Sequence, residues 1–119
     1  MIRTVLGEIA PNELGVTYMH EHLIIDSEIV AKDFEHIHLP SVADAKSELT
    51  DCKQAGVSAM VDCMPTGSGR DIKKLAEISK STGIHLIAAT GMHTAKYYQA
   101  SDELVTANIE KLAEIFTQE

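Results

Sequence analysis

Short apolar runs alternate along the chain with longer amphipathic segments. The apolar runs cover residues 16–23, 57–62 and 84–90, and each has the length of a buried strand. The last two follow helical segments after tight returns at Gly56 and Gly83. Strands and helices that alternate in this way build parallel sheets, so the pattern predicts an α/β fold.

Small or apolar residues recur at helical spacing in the segments between these runs. The predicted helices cover residues 41–55, 71–82 and 102–118, and glycines follow the first two. Residues 2–9 have the pattern of a small hairpin ahead of the first strand. The chain is therefore expected to contain three strand-and-helix units in succession.

Polar and glycine-bearing segments follow the predicted strands, at residues 65–69 and 90–93. In parallel α/β folds, the carboxyl ends of the strands carry the functional site. We therefore expect the chemistry of this protein at that edge of the sheet. His85 begins its strand at the opposite edge and is expected to be inert.

His20 and His22 lie on the first predicted strand, in the sequence Met-His-Glu-His-Leu. Residues i and i+2 of a strand point to the same face about 7 Å apart, so two imidazoles at this spacing can converge on one ion. On a helix the same two side chains would diverge by about 200°. An isolated pair of this kind is a weak signal, and two packed or solvated histidines at a strand end are the alternative.

Composition narrows the class of protein further. The chain of 119 residues carries a net charge of −8 and has no basic cluster, so nucleic acid is not an expected partner. Cys52 and Cys63 have no zinc-ribbon spacing, which favours free thiols over a disulfide. No long apolar stretch or signal sequence occurs, so a soluble, cytoplasmic protein that does not bind a membrane is expected.

The segment at residues 15–23, Gly-Val-Thr-Tyr-Met-His-Glu-His-Leu, resembles the first-strand signature of the phosphotriesterase-like family in the amidohydrolase superfamily. The resemblance continues in register through Val-Asp-Cys-Met-Pro at residues 61–65 and Gly-Arg-Asp at 69–71. Residues 82–91 look like the third strand of the family with its closing Thr-Gly, and residues 111–116 look like the helix before the fourth strand.

This resemblance implies an eight-stranded (β/α)8 TIM-type barrel that holds two divalent metal ions, usually zinc, at the carboxyl ends of its strands. His20 and His22 match the first-strand pair of metal ligands. The metals of such a site lower the pKa of bound water far below its value in bulk water, toward about 7, and polarise the substrate. The implied reaction is hydrolysis of a small-molecule ester, with phosphotriesters or lactones as the substrate classes.

The other family ligands, on the fourth, fifth, sixth and eighth strands, would lie beyond Glu119. Residues 1–119 are therefore expected to form one partial domain, the first three β/α units of the barrel, without a complete active site. Catalytic residues cannot be assigned within it. Two alternatives remain open: a non-catalytic remnant that folds by pairing with itself or a partner through an exposed sheet edge, and a generic α/β binding module.

Other polar residues are weaker candidates. His36 and His38 form a second H-x-H in the long connection after the first strand, where a surface loop is the expected role. Asp71 is expected to cap the following helix while Arg70 supports the loop. His93 takes the place of an aromatic residue of the family at the end of the third strand, so a contact with the substrate is predicted for it.

Overall fold

A computed structural model describes all residues from 1 to 119, and its regular elements occur in the predicted order with additions in three connections. The strands are β1 (Ile2–Thr4), β2 (Gly7–Ile9), β3 (Thr17–Glu21), β4 (Ala59–Asp62) and β5 (His85–Ala88). The helices are α1 (Glu28–Asp33), α2 (Val42–Gln54), α3 (Ile72–Thr82), α4 (Glu103–Thr106) and α5 (Ile109–Gln118).

The main sheet contains β3, β4 and β5 in that order, and both neighbouring pairs are parallel. Each strand therefore returns through a helical connection to lie beside the previous one, as the sequence predicts. β3 pairs regularly at its start, but its register shifts by one residue between Tyr18 and Glu21. This irregularity includes His20 and ends one residue before His22, the two histidines of the predicted metal site.

The predicted hairpin is confirmed, because β1 and β2 pair in antiparallel fashion. The backbone N–H of Val5 donates to the carbonyl of Leu86 at 2.8 Å and fastens the hairpin to β5.

Helices α2 and α3 supply the core that holds the sheet in place. Their buried residues Leu49, Leu75 and Ile78 pack with Met60 of β4 and Leu86 of β5. The prediction that Asp71 caps α3 is confirmed, since its carboxylate accepts from the N–H of Lys74 at 3.0 Å. Ser41 caps α2 in the same way, so both predicted helices begin where their capping residues place them.

The prediction of one helix over residues 102–118 is wrong. Ala107 is extended, with φ −69° and ψ 152°, and it separates α4 from α5. The side chain of Asn108 accepts from the N–H of Lys111 at 2.9 Å, while Asp102 caps α4. Two capping residues six positions apart favour two helix starts over one continuous helix.

The long connection between β3 and α2 is more ordered than the surface loop that the sequence predicts. It contains α1, a 3-10 turn at Glu35–Ile37, and a two-residue antiparallel bridge that joins Ile25 to Leu39. The carboxylate of Asp26 accepts from His38 at 2.9 Å and from the Lys74 ammonium at 2.6 Å. His38 is thus a structural partner of Asp26, whereas His36 is exposed.

The hydrogen bonds of Asp26 to His38 and Lys74 predict how stability depends on pH in acid. Hydrogen bonds from Lys74 and then His38 hold the pKa of Asp26 below its usual value of 3.8, against the opposing effect of burial. A carboxyl group whose pKa is lowered by folding stabilises the folded state when the pH is above its pKa in the unfolded state. This contribution is lost as the pH falls through the pKa of the folded state. We expect Asp26→Asn to destabilise the protein by about 1 kcal/mol at pH 7 and by much less near pH 3.

Urea unfolding of both proteins at several pH values measures this difference. Glu77→Gln is the matched control, because Glu77 pairs with Lys46 at 2.6 Å on an exposed surface. An Asp26→Asn penalty that is independent of pH would contradict the expected origin of the effect.

The chain has no helix with the length and apolar character needed to cross a membrane. Both cysteines are free, as the sequence predicts, and both are half-buried.

Candidate functional site

His20 and His22 lie beside each other at the carboxyl end of β3. Their ring centroids are 5.3 Å apart and the ring planes meet at 73°. His20 is exposed and His22 is half-buried. The pair therefore offers two imidazoles, one of them partly shielded from water, at the edge of the sheet where the sequence predicts the site.

One nitrogen of this pair has no partner within the chain. The Nδ1 atom of His22 is buried and makes no hydrogen bond, and it is the only buried side-chain nitrogen or oxygen in that condition. A buried polar atom without a partner costs about 1–3 kcal/mol, so such atoms are rare unless a ligand satisfies them. Neutral imidazole nitrogen is a common ligand of zinc and related ions, and this atom fits that role.

The donor set is nevertheless partial. No group of three or more His, Cys, Asp or Glu side chains is close enough to hold a metal ion. A catalytic zinc ion usually has three protein ligands and one open position. The two histidines fit such an ion as part of a ligand set and would need at least one further group.

Asp62, at the end of β4, places a buried carboxylate near His22. Its side chain is fully buried, and its two oxygens accept from the backbone N–H groups of Leu23 and Met64, each at 2.9 Å. Burial raises the pKa of Asp62, while the N–H donors and the nearby His22 oppose that rise. Sequence reasoning missed this residue, although a carboxylate that ends an apolar strand is a visible signal.

His93 lies in the segment after β5. Its Nδ1 accepts from the N–H of Thr94 at 2.7 Å, so the ring proton of the neutral form resides on Nε2. Burial lowers the pKa of His93, and the nearby His22 and Lys96 lower it further. At neutral pH, His93 is therefore an uncharged imidazole with one N–H available as a donor.

Aromatic contacts join the segment after β5 to the ordered connection after β3. The ring of Tyr97 lies 4.5 Å from His93 and 4.8 Å from Phe34, measured between centroids. The ammonium of Lys96 lies 4.7 Å from the centroid of the Tyr97 ring and 5.5 Å from that of Phe34. These rings and one cation form a wall beside His93.

Tyr98 fixes the loop after β5 against the loop after β4. Its buried hydroxyl donates to the carbonyl of Thr66 and accepts from the N–H of His93, both at 2.9 Å. Gly67 leaves room for this ring, since a Cβ there would lie 2.8 Å from Tyr98 Cε1. This contact could not be predicted from the sequence, because it joins residues that are 32 positions apart on two different loops.

The prediction that Arg70 supports its loop is confirmed. Its guanidinium donates to the carbonyl of Ala89 at 2.5 Å and pairs with the Glu119 carboxylate at 3.0 Å. Burial acts to raise the pKa of Glu119, but hydrogen bonds from Thr90 and Arg70 outweigh it and leave the pKa lowered. Arg70 thus ties the loop after β4 to the end of β5 and to the last residue of the chain.

The chain is similar to known proteins in both sequence and structure. The sequence model of the Phosphotriesterase family matches residues 1–119. An aryldialkylphosphatase of Saccharolobus solfataricus is 32% identical over 110 residues, which cover 91% of this chain and 34% of that protein.

Two solved structures are similar to this one. A lactonase from Listeria monocytogenes has a TM-score of 0.69 and 32% identity, covering 76% of this chain and 28% of that one. An amidohydrolase from Mycoplasma synoviae has a TM-score of 0.82 and 30% identity, covering 96% of this chain and 33% of that one. They confirm the predicted fold class, the first three β/α units of a TIM-type barrel. The chain spans about a third of the length of these relatives.

Proposed function

Because this chain belongs to the phosphotriesterase family, we propose that the protein carrying it is a metal-dependent hydrolase of ester bonds. His20 and His22 would hold a divalent ion, for which zinc is the candidate that suits imidazole ligands. The single observation that carries this proposal is the adjacent ring pair with the buried, unpartnered Nδ1 of His22. The remaining ligands would come from segments outside these 119 residues.

When bound, such an ion would activate water at neutral pH and polarise the oxygen of the substrate. The residues of this chain would act around that chemistry. His20 and His22 would hold the ion at the carboxyl edge of the sheet, while the neutral His93 would donate its Nε2–H to an oxygen of the substrate. The wall formed by Phe34, Tyr97 and Lys96 would exclude water from that side.

We propose phosphotriesters or lactones as the substrate classes. The names of two relatives support this choice, since one is an aryldialkylphosphatase and another is a lactonase. Both substrates present a polarised P=O or C=O oxygen to a hydrolytic site. His93 offers a neutral donor near His22, which suits an uncharged ester oxygen.

Two measurements on the full-length protein, purified without chelator, test the proposal. Elemental analysis is expected to find about one to two equivalents of a divalent metal, as family sites of this type hold. Assays with a dialkyl aryl phosphate and with a lactone are expected to show hydrolysis of at least one substrate, which a chelator abolishes. A folded protein with no bound metal and no chelator-sensitive hydrolysis would defeat the proposal.

His93 carries a separate prediction about the substrate. We expect His93→Ala to lower kcat/KM about 10-fold, the value of one hydrogen bond to the reacting group, without changing the metal content. His93→Gln retains an N–H donor and is expected to recover part of the loss. His85→Ala is the matched control, since His85 begins β5 at the opposite edge. Unchanged kcat/KM in His93→Ala would contradict a role in substrate binding.

A second candidate function is self-association of this chain as a non-catalytic remnant. The exposed side chains on and beside β3 favour it, because Tyr18 is 52% and Met19 is 69% exposed. The outer edge of β3 has no partner strand, and such edges pair readily with other chains. Light scattering of the 119-residue chain tests this second candidate function, since a monodisperse monomer would exclude it.

A further inference from the structure

The orientation of the His22 ring is not set by a hydrogen bond to the ring itself. Metal-binding histidines usually donate their second ring N–H to a carboxylate or carbonyl, which fixes the ring. The Nδ1 of His22 has no partner, and no other hydrogen bond to this ring occurs. Its position therefore depends on packing, including the His20 ring at 5.3 Å, and on the backbone on either side of it.

Two hydrogen bonds from the end of β4 bracket His22. The N–H of Cys63 donates to the carbonyl of Glu21 at 2.8 Å, and the carboxylate of Asp62 accepts from the N–H of Leu23 at 2.9 Å. The first is a backbone ladder bond that almost any residue could supply. The second depends on the side chain of Asp62 alone.

Asp62 also joins the other two strand ends. Its second oxygen accepts from the N–H of Met64 at 2.9 Å, and its carbonyl accepts from the N–H of Ala89 at 3.0 Å. The carboxylate is fully buried, and both of its oxygens accept from backbone N–H groups and not from a lysine or arginine. Burying a carboxylate with only backbone donors is costly, so an apolar residue would pack here at lower cost if packing were its only role.

We propose that Asp62 is a positioning residue for the metal-binding histidines. Its carboxylate fixes the backbone at Leu23, next to His22, and ties this point to the loops that follow β4 and β5. The register shift in β3 leaves this part of the strand with fewer regular ladder bonds, and the side chain of Asp62 supplies the missing restraint. This inference rests on the proposed function, because it concerns the same pair of histidines.

Zinc affinity of the full-length protein, measured by competition with a chromophoric chelator, tests the inference. Asp62→Asn preserves shape but turns an N–H donor toward one of the two backbone amides. We expect it to weaken zinc binding about 10- to 100-fold, the range found when outer partners of metal ligands are removed. The visible spectrum of the cobalt-substituted protein is expected to change as well, because it reports ligand geometry independently of activity.

Ser68→Ala is the matched control. Ser68 is also fully buried in the loop after β4, and its hydroxyl donates to the Pro65 carbonyl at 3.1 Å, away from His22. We expect Ser68→Ala to lower stability while zinc affinity and the cobalt spectrum stay unchanged. Equal weakening of zinc binding in both variants, or none in Asp62→Asn, would overturn the inference.

If Asp62→Asn does not fold, the same bond can be removed from the donor side. Incorporation of the α-hydroxy analogue of leucine at position 23 replaces the N–H with an ester oxygen and leaves Asp62 in place. Weaker zinc binding supports the inference, whereas unchanged binding overturns it. A folded wild-type protein without zinc affinity would defeat the proposed function itself, whereas zinc binding that is insensitive to both changes defeats only the role of Asp62.

Discussion

Replacing His22 with alanine is expected to weaken zinc binding of the full-length protein by more than about 100-fold and to reduce ester hydrolysis to near background. Loss of an outer partner of a metal ligand already costs about 10- to 100-fold in affinity, so loss of a ligand should exceed that range. The effect is expected to be larger than for His20→Ala, because His22 is half-buried and carries the unpartnered Nδ1. Chelator competition measures affinity, and a lactone or aryl phosphate assay measures activity.

The second H-x-H of the chain offers the control for this prediction. His36 is exposed and lies in a 3-10 turn, so His36→Ala is expected to leave both metal binding and hydrolysis unchanged. His38 is unsuitable because it hydrogen bonds to Asp26. Removal of the half-buried imidazole of His22 is expected to change the stability of the metal-free protein little, because the loss of packing is offset by relief of the unsatisfied Nδ1 atom. Full zinc affinity in His22→Ala would exclude this residue as a ligand.

The local parts of the fold could be predicted from the sequence because short-range physics determines them. The apolar runs of β3, β4 and β5 and the capping residues Ser41 and Asp71 are readable within a few neighbouring positions. The break between α4 and α5 could have been read from Asn108, but the apolar spacing on both sides of it masks the capping signal. The prediction failed there because capping by Asn108 prevailed over amphipathic periodicity.

The parts that could not be predicted depend on contacts between distant segments. Asp26 meets Lys74 across 48 residues, and Asp62 meets Leu23 across 39. Neither pair has a local pattern, since each forms only after the sheet places the strand ends together. For the same reason, the sequence pointed to His20 and His22 through their spacing but gave no reason to connect Asp62 with them.

These contacts share one location, the carboxyl edge of the sheet, where the three loops hold one another. Asp62 binds the backbone after β3, Tyr98 joins the loops after β4 and β5, and the N–H of Asp26 donates to the carbonyl of Gly69 at 2.8 Å. The histidines therefore lie on a backbone that neighbouring loops restrain from several sides. Precise placement of metal ligands requires such support, because a ligand that moves freely loses affinity.

Replacing Gly69 with alanine is expected to disrupt this edge strongly. Gly69 has φ +128°, and a Cβ there would lie 2.9 Å from both the backbone nitrogen of Asp26 and Cγ2 of Ile25. The backbone strain and the forced contact are each worth about 1–3 kcal/mol, so we expect a total destabilisation of about 2–6 kcal/mol. Since Ile25 follows His22 by three residues, zinc affinity is expected to fall as well. Urea unfolding and chelator competition measure the two effects.

The variant Gly7→Ala separates backbone strain from the forced Cβ contact, because Gly7 has nearly the same φ angle as Gly69 but no close neighbour. Its φ is +127°, and a Cβ at that position would meet nothing within 4 Å. Gly7→Ala is therefore expected to cost only the backbone term of about 1–3 kcal/mol and to leave zinc affinity unchanged. The difference between the stability losses of the two variants then measures the cost of the steric contact between the loop after β4 and the segment that follows His22. Equal losses of stability in Gly7→Ala and Gly69→Ala, with metal binding intact in both, would show that this close approach does not support the site.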